Sequence, residues 1–176
     1  YARTGAARES FQKYMDYGIN MTIGTDMWPH DIISEMRYAS LISKLMDKDR
    51  RSASSLSVYN AVTINAAKAL RRDDLGRLAK GAKADIIIID VKNFRWPPIN
   101  DPIKSLVHAG TMDDVETVII DGKKVVEDKK IIGVDEMALM EDLRRAMEEE
   151  HAKVPEWDYL GRTIWEMMPM SLKPLE

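Results

Sequence analysis

Residues 18–26 read Gly-Ile-Asn-Met-Thr-Ile-Gly-Thr-Asp, a short apolar run that ends in the carboxylate of Asp26. The length of this run and its β-branched residues indicate a strand over 19–24, and Gly24 marks a point where the backbone turns or packs closely. An acid that follows a buried parallel strand lies at the carboxyl end of the sheet, where α/β barrels hold their reactive groups. The run therefore predicts a barrel strand followed by a loop that presents Asp26.

The sequence on both sides of this run predicts helices. Before it, Phe11, Tyr14 and Met15 recur at helical spacing and predict a helix over 5–16. After it, residues 31–47 carry a broad apolar face, with Asp31 as a candidate N-cap. A third helix is predicted from about residue 54 to residue 70, with small residues in its second half. Asp26 is thus expected in a strand-to-helix loop.

The pattern changes from helical to strand-like near residues 75–83, where we place a boundary. Strands are predicted at 84–91, 104–109, 115–120 and 123–127, and the run 131–133 extends the same sheet. Asp121-Gly122 is a typical two-residue hairpin turn. A charged helix follows over 135–152, and the residues from 157 on predict an irregular apolar tail.

The composition excludes several classes of protein. The chain has 176 residues, with 26 basic and 29 acidic side chains and a net charge of −3, which argues against a nucleic-acid binder. No apolar run approaches the roughly 20 residues of a membrane span. The chain has no cysteine, which excludes disulfides and thiolate metal ligands and fits a cytoplasmic protein.

Three residues of the loop are candidates for chemistry. Asp26 could bind a divalent metal or accept a proton, or it could cap the next helix or brace the loop. His30 could contact substrate or transfer a proton, or it could be a solvated loop histidine. Trp28 could form the wall of a substrate pocket or simply cover the end of the barrel. The local pattern alone leaves these alternatives open.

The chain cannot complete a hydrolytic zinc site from its own recognisable residues. Such a site needs several nitrogen or oxygen ligands around an open position. The sequence has three scattered histidines, and no two of them are at ligand spacing. His108 falls in a predicted strand and His151 at the end of a charged helix, where both are expected to be structural or exposed.

Four stretches, taken in order, resemble the C-terminal part of a metal-dependent amidohydrolase, on the branch that holds chlorohydrolases, aminohydrolases and deaminases. They are residues 18–26 with the Gly-Thr-Asp ending, Glu35-Met36-Arg37 with Ala39 and Leu41, Ala-Val-Thr-Ile-Asn-Ala-Ala-Lys-Ala-Leu at 61–70, and residues 75–90 with Leu75-Gly76-Arg77-Leu78, Lys80-Gly81 and Lys83-Ala84-Asp85. The resemblance covers roughly residues 8–134 and does not extend to the tail.

The resemblance implies an α/β fold: the C-terminal fragment of a TIM-like (β/α)8 barrel followed by part of a small β-sandwich. It divides the chain into barrel elements over 1–75, sandwich strands over 76–134, and a helix with an apolar tail over 135–176. It also implies that Asp26 binds a metal, zinc or else iron, or its water, and moves the proton. The His-x-His pair of the family is missing from this chain, so most metal ligands are expected outside it.

The function implied is part of a hydrolase that acts on carbon–nitrogen bonds other than peptide bonds, by deaminating or dechlorinating a small heterocycle with activated water. We expect the missing N-terminal barrel segment to come from the same or a separate polypeptide, and this chain alone to be inactive. We also expect a homo-oligomer in the cytoplasm. The alternative is a non-catalytic subunit or remnant that serves as an interaction module, with its tail docking a partner.

Overall fold

The computed structural model describes residues 9–26, 29–96 and 98–172. The chain divides into two compact units, the first ending at Ile132 and the second beginning at Gly133. In the first unit the described elements are α1 (Phe11–Asp16), α2 (Ile32–Asp47), α3 (Ser55–Val62), α4 (Ile64–Ala69), β1 (Ile86–Ile89), α5 (Pro102–Ala109), a 3-10 turn (Met112–Asp114), β2 (Val115–Ile120), β3 (Lys123–Glu127) and β4 (Lys130–Ile131). In the second they are α6 (Glu136–Trp157) and α7 (Ile164–Met167).

Helix α2 begins where the sequence predicted. The buried carboxylate of Asp31 accepts hydrogen bonds from the backbone N–H of Ile33 at 2.9 Å and from the hydroxyl of Ser34 at 2.6 Å. These bonds satisfy a donor of the first helical turn, which otherwise has no intrahelical partner. The helix ends at Asp47, and the C-cap residue Lys48 has a φ of 52°, in the left-handed region.

The core of the first unit is formed mainly by helices. Its buried side chains come from α1, α2, α3, α5 and the loop before α3, and they are Phe11, Ile33, Met36, Ala53, Val58, Ala61 and Val107. Burying a large apolar side chain contributes about 1.5–3 kcal/mol. Met21 and Ile23, from the run that precedes Asp26, pack against this core.

The strands form one antiparallel sheet with the order β1-β2-β3-β4. The predicted hairpin at Asp121-Gly122 is confirmed: φ is 50° at Asp121 and 80° at Gly122, as a type I′ turn requires. The carboxylate of Asp85 accepts a hydrogen bond from the backbone N–H of Asp121 at 2.7 Å. No second sheet is seen in residues 9–26, 29–96 and 98–172, so the predicted sandwich is not confirmed.

The strand predicted at 104–109 is wrong, because these residues lie in helix α5. Asp101 caps this helix by accepting a hydrogen bond from the backbone N–H of Lys104 at 3.0 Å, and Pro102 occupies the first turn. An acidic cap followed by proline is a helix start signal, and it prevails over the apolar residues that suggested a strand. The third predicted helix is broken at Thr63, whose backbone (φ −121°, ψ −95°) separates α3 from α4.

The strand predicted at 19–24 is also absent. Exposure alternates along this stretch, with Met21 and Ile23 half-buried and Asn20, Thr22 and Gly24 exposed, as in an extended chain. A strand needs a neighbour to accept and donate its backbone hydrogen bonds, and the described part of the chain offers this stretch none. The stretch is therefore extended but is not the predicted strand, because the ladder of backbone hydrogen bonds is missing.

The second unit consists of a long charged helix and a short one. In it the ring of His151 meets the ring of Trp165 edge-on, with centroids 5.7 Å apart. The tail was predicted to be irregular, but it contains α7, which begins with a capping box between Thr163 and Glu166. Across the described residues of the whole chain, no helix combines the length and the apolar character that a membrane crossing requires.

Candidate active site

Asp26 lies exposed at the end of the stretch that packs on the helical core. Its φ is 49°, in the left-handed region that most non-glycine residues avoid and that Asp and Asn tolerate best. Within the described ranges no hydrogen bond or ion pair engages its carboxylate. Helix α2 is capped by Asp31, so Asp26 is not needed as a cap. The carboxylate of Asp26 is therefore accessible to a ligand.

Two asparagines fix the stretch that leads to Asp26; we call Asn20 and Asn65 the asparagine pair. The Asn20 side-chain amide donates to the backbone carbonyl of Asn65 at 3.0 Å. In return, the Asn65 amide donates to the backbone carbonyl of Met21 at 3.2 Å. Further back, the N–H of Ile19 donates to the carbonyl of Tyr14 at 3.2 Å. The stretch is thus tied to α4 and to the end of α1.

The far side of the loop is fixed by Asp31. Besides capping α2, Asp31 donates its backbone N–H to the carbonyl of Pro29 at 2.9 Å. His30 lies just before this cap and is exposed, four residues after Asp26. Trp28, the other residue predicted to contact substrate, lies outside the described residues. The structure thus places Asp26 and His30 on one loop that is anchored at both ends.

The residues described here can supply only part of a metal site. They contain no group of three or more His, Cys, Asp or Glu side chains that could hold a metal ion. Asp26 offers one accessible carboxylate, which suits a divalent cation, and other ligands must complete the coordination. The residues present therefore fit a shared metal site and not a self-contained one.

His108 is unsuited to hold a cation. Its Nε2 lies 3.2 Å from the hydroxyl of Ser55. His108 is exposed overall, but partial desolvation of its ring lowers its pKa, and the nearby charges of Lys44, Arg37 and Lys104 lower it further. These three side chains would repel a metal cation bound at His108. The surroundings of His108 therefore fit the expected structural role.

Arg37 has a role that the sequence did not indicate. Its guanidinium Nε donates to the backbone carbonyl of Val107 at 3.0 Å, and its Nη2 donates to that of Gly110. These carbonyls belong to the end of α5, where backbone acceptors lack intrahelical partners. Arg37 thus joins the helix that follows the Asp26 loop to α5.

Comparison with known proteins identifies the family. The profile of the Amidohydrolase family matches residues 2–125, well over half of the chain. The chain belongs to the Amidohydrolase family. Its predicted membership is confirmed, and the four stretches quoted above lie within the matched range.

Curated relatives are deaminases. A 5'-deoxyadenosine deaminase of Methanosarcina barkeri is 34% identical over 141 residues, which cover 78% of this chain and 32% of that protein. A 5-methylthioadenosine/S-adenosylhomocysteine deaminase of Acetivibrio thermocellus is 36% identical over 124 residues, covering 68% of this chain and 29% of that protein. The chain therefore spans about one third of the length of these relatives.

Solved structures of the family share the fold of this chain. A zinc-bound adenosine deaminase from Xanthomonas campestris matches with a TM-score of 0.72 and 26% identity, over 77% of this chain and 32% of that one. An atrazine chlorohydrolase from Arthrobacter aurescens, complexed with zinc and atraton, has a TM-score of 0.66 at 24% identity, over 74% and 30% of the two chains, which shows the fold alone. With the mixed α/β content of the chain, these likenesses support the predicted barrel-type fold.

Proposed function

We propose that this chain is the C-terminal part of a metal-dependent hydrolase that removes the amino group of an adenosine-like heterocycle. The accessible carboxylate of Asp26, on a loop anchored at both ends, carries the proposal. The matched relatives are deaminases of adenosine derivatives, which favours deamination over the dechlorination of a triazine. The matched deaminases also make the alternative, a non-catalytic interaction module, the less favoured one.

Asp26 supplies the proton transfer that deamination needs. A divalent metal, when bound, acts as a Lewis acid and lowers the pKa of water. Asp26 accepts a proton from the water that attacks the amino-bearing ring carbon, and it delivers that proton to the amino nitrogen. The carbon–nitrogen bond then breaks and ammonia leaves with that proton. The other proton of the water moves from the new hydroxyl to the adjacent ring nitrogen, which leaves the oxygen as a carbonyl. His30 is exposed on the same loop and is proposed to contact the substrate, together with Trp28.

The N-terminal barrel segment is the proposed partner that completes this site, from the same or a separate polypeptide. Two features of the first unit support a missing neighbour. Apolar side chains are exposed on its helical part, such as Leu45 on α2 and Leu70 directly after α4, and the stretch before Asp26 has no paired strand among the described residues. We propose that β1 joins N-terminal strands in the small sandwich, because Ile87 and Ile88, which point to opposite faces of β1, are both exposed.

The finer assignments remain proposals. Zinc is favoured over iron because the matched adenosine deaminase and atrazine chlorohydrolase both bind zinc. The division into barrel elements over 1–75, sandwich strands over 76–134 and a helix with a tail over 135–176 stays a prediction. So do the homo-oligomeric state, the cytoplasmic location and the inactivity of this chain alone.

The test uses the complete gene product, with its metal content measured before assay. Ammonia release is followed with 5'-deoxyadenosine and 5-methylthioadenosine, and chloride release is followed with a chlorinated triazine. We expect turnover of an adenosine derivative that requires the metal, and a loss of orders of magnitude in Asp26→Asn. Full turnover in Asp26→Asn, or no turnover of any adenosine derivative by the metal-loaded protein, refutes the proposal.

A further inference from the structure

We propose that Asn65 is a positioning residue, which holds Asp26 where its carboxylate can act; this inference rests on the function proposed above. Asn65 lies in the first turn of α4, far from Asp26 in sequence. It acts through the asparagine pair, which joins α4 to the stretch that ends at Asp26. Asn65 itself does not touch the reacting atoms.

The two hydrogen bonds of the asparagine pair run in opposite directions, and together they fix the register of residues 20 and 21 against α4. One amide donates from the stretch to α4, and the other donates from α4 to the stretch, at neighbouring residues Asn20 and Met21. A single bond would let the chain pivot, whereas two crossed bonds hold both its position along α4 and its rotation. Because side chains alternate along an extended chain, a slip of one residue would turn Asp26 toward the opposite face.

Helix α4 is itself a firm support. Its N-terminus is set by the break at Thr63, and Ala67 is buried. Gly76 (φ +75°) packs so closely on it that an added Cβ would lie 2.7 Å from the carbonyl oxygen of Thr63 and 3.1 Å from the Cβ of Ala67. The asparagine pair therefore transmits the position of a packed helix to the stretch that carries Asp26.

A double-mutant cycle in the metal-loaded complete gene product tests this role. Asn65→Ala is expected to lower kcat about tenfold, with KM changed less than twofold, because small misplacements of a reacting group are costly. In the Asp26→Asn background the same substitution is expected to cause no further loss, because its effect passes through Asp26. The rise in Tm on adding zinc to chelator-stripped protein serves as a second readout and should shrink in both single variants.

Matched variants separate positioning from folding. Asn60→Ala is the control, since Asn60 is also half-buried but lies on α3, and it should leave kcat unchanged. Asn65→Asp keeps the size and the backbone acceptor but lacks the amide donor, so it should reproduce the loss in kcat even if Asn65→Ala fails to fold. Asn65→Gln, which keeps the donor, should recover part of the activity.

Two results would overturn the inference while leaving the proposed function intact. One is a loss in Asn65→Asp no greater than that in Asn60→Ala. The other is an equal loss on the wild-type and Asp26→Asn backgrounds, which would mean that Asn65 acts on stability alone. Full activity of Asp26→Asn itself would refute the proposed function instead, so the two failures are distinguishable.

Discussion

Asp26 and Asp114 are carboxylates of opposite character within the first unit. Asp114 is 1% exposed and accepts hydrogen bonds from the backbone N–H of Thr111 at 2.9 Å, from Asn93 at 2.9 Å and from Arg95 at 2.6 Å. Burial alone would raise the pKa of Asp114, but these hydrogen bonds and the charge of Arg95 outweigh it and the pKa is lowered. Asp26 is exposed, and its backbone is in a left-handed conformation.

The difference separates a structural acid from a candidate catalytic one. The oxygens of Asp114 are committed to holding the loop after β1 against the 3-10 turn, so they cannot also serve a ligand. The carboxylate of Asp26 makes no such commitment in the described structure, and its residue adopts an unfavourable φ at the end of an anchored stretch. Strained backbone of this kind is often found at functional sites.

The largest effect is expected when the carboxylate of Asp26 is removed. Asp26→Ala in the complete gene product should lower turnover about 10³-fold, which corresponds to about 4 kcal/mol of transition-state free energy. Urea denaturation should show a far smaller effect on stability, limited to the roughly 1 kcal/mol by which alanine disfavours a positive φ. Asp26→Gly is the control, because it relieves the backbone and should be inactive but no less stable. Normal turnover in both variants would defeat the assignment.

The reverse pattern is expected at Asp114. Asp114→Ala should lower the free energy of unfolding by about 2–3 kcal/mol, because buried donors lose their acceptor; half-exposed Arg95 recovers water and limits the loss. Urea denaturation measures this, and Asp114→Asn, which keeps one acceptor oxygen, should lose less.

The stability that Asp114 contributes depends on pH in a defined direction. Its pKa is lower in the folded state, so the contribution is complete above pH about 4 and is lost as the pH falls further. An Asp114→Ala variant as stable as the wild type at pH 7 would remove the contrast with Asp26.

A smaller effect is expected where Arg37 joins α2 to α5. Arg37→Met should lower the free energy of unfolding by about 1.5–2 kcal/mol, since the carbonyls of Val107 and Gly110 lose a charged donor. Arg37→Lys should recover less than half of this loss, because one ammonium cannot reproduce the guanidinium fork. Denaturant titration of both variants and the wild type measures their free energies of unfolding. An Arg37→Met variant as stable as the wild type would contradict the prediction.

The smallest effect is expected at His108. Its pKa is lowered in the folded state, so the folded protein favours the neutral ring, and stability present above pH about 6.5 declines as the pH falls below that value. Because the ring is exposed, Tm should fall by no more than about 1–2 °C from this source. His108→Gln should flatten the dependence of Tm on pH between 7 and 5, and an unchanged slope would exclude His108 as its origin.

The sequence predicted those elements in which local signals agree. Helix α2 has both an apolar face and the Asp31 cap, and the hairpin has the Asp-Gly turn that its geometry demands. At 104–109 the signals conflicted, because a short apolar run fits either a helix or a strand, and the cap at Asp101 decided the outcome.

The position of Asp26 in a loop before α2 was predicted, but its supports were not. The asparagine pair joins residues 45 positions apart, and no local pattern reports such a contact. The strand predicted at 19–24 did not form for a related reason: strand pairing depends on neighbours elsewhere in the fold. Local sequence thus indicated which residues could react, whereas the contacts that orient them required the structure.

Strand β1 lies at the edge of the described sheet, and this affects how the protein can be handled. Four isoleucines in a row, with no proline or charge among them, are the composition that recruits identical strands into fibrils. Asp85 and Asp90 flank the run. Repulsion between these charges on neighbouring chains opposes the stacking of their β1 strands. Purified alone in high salt, the chain should bind thioflavin T and sediment, and a lysine in place of Ile88 should keep it dispersed.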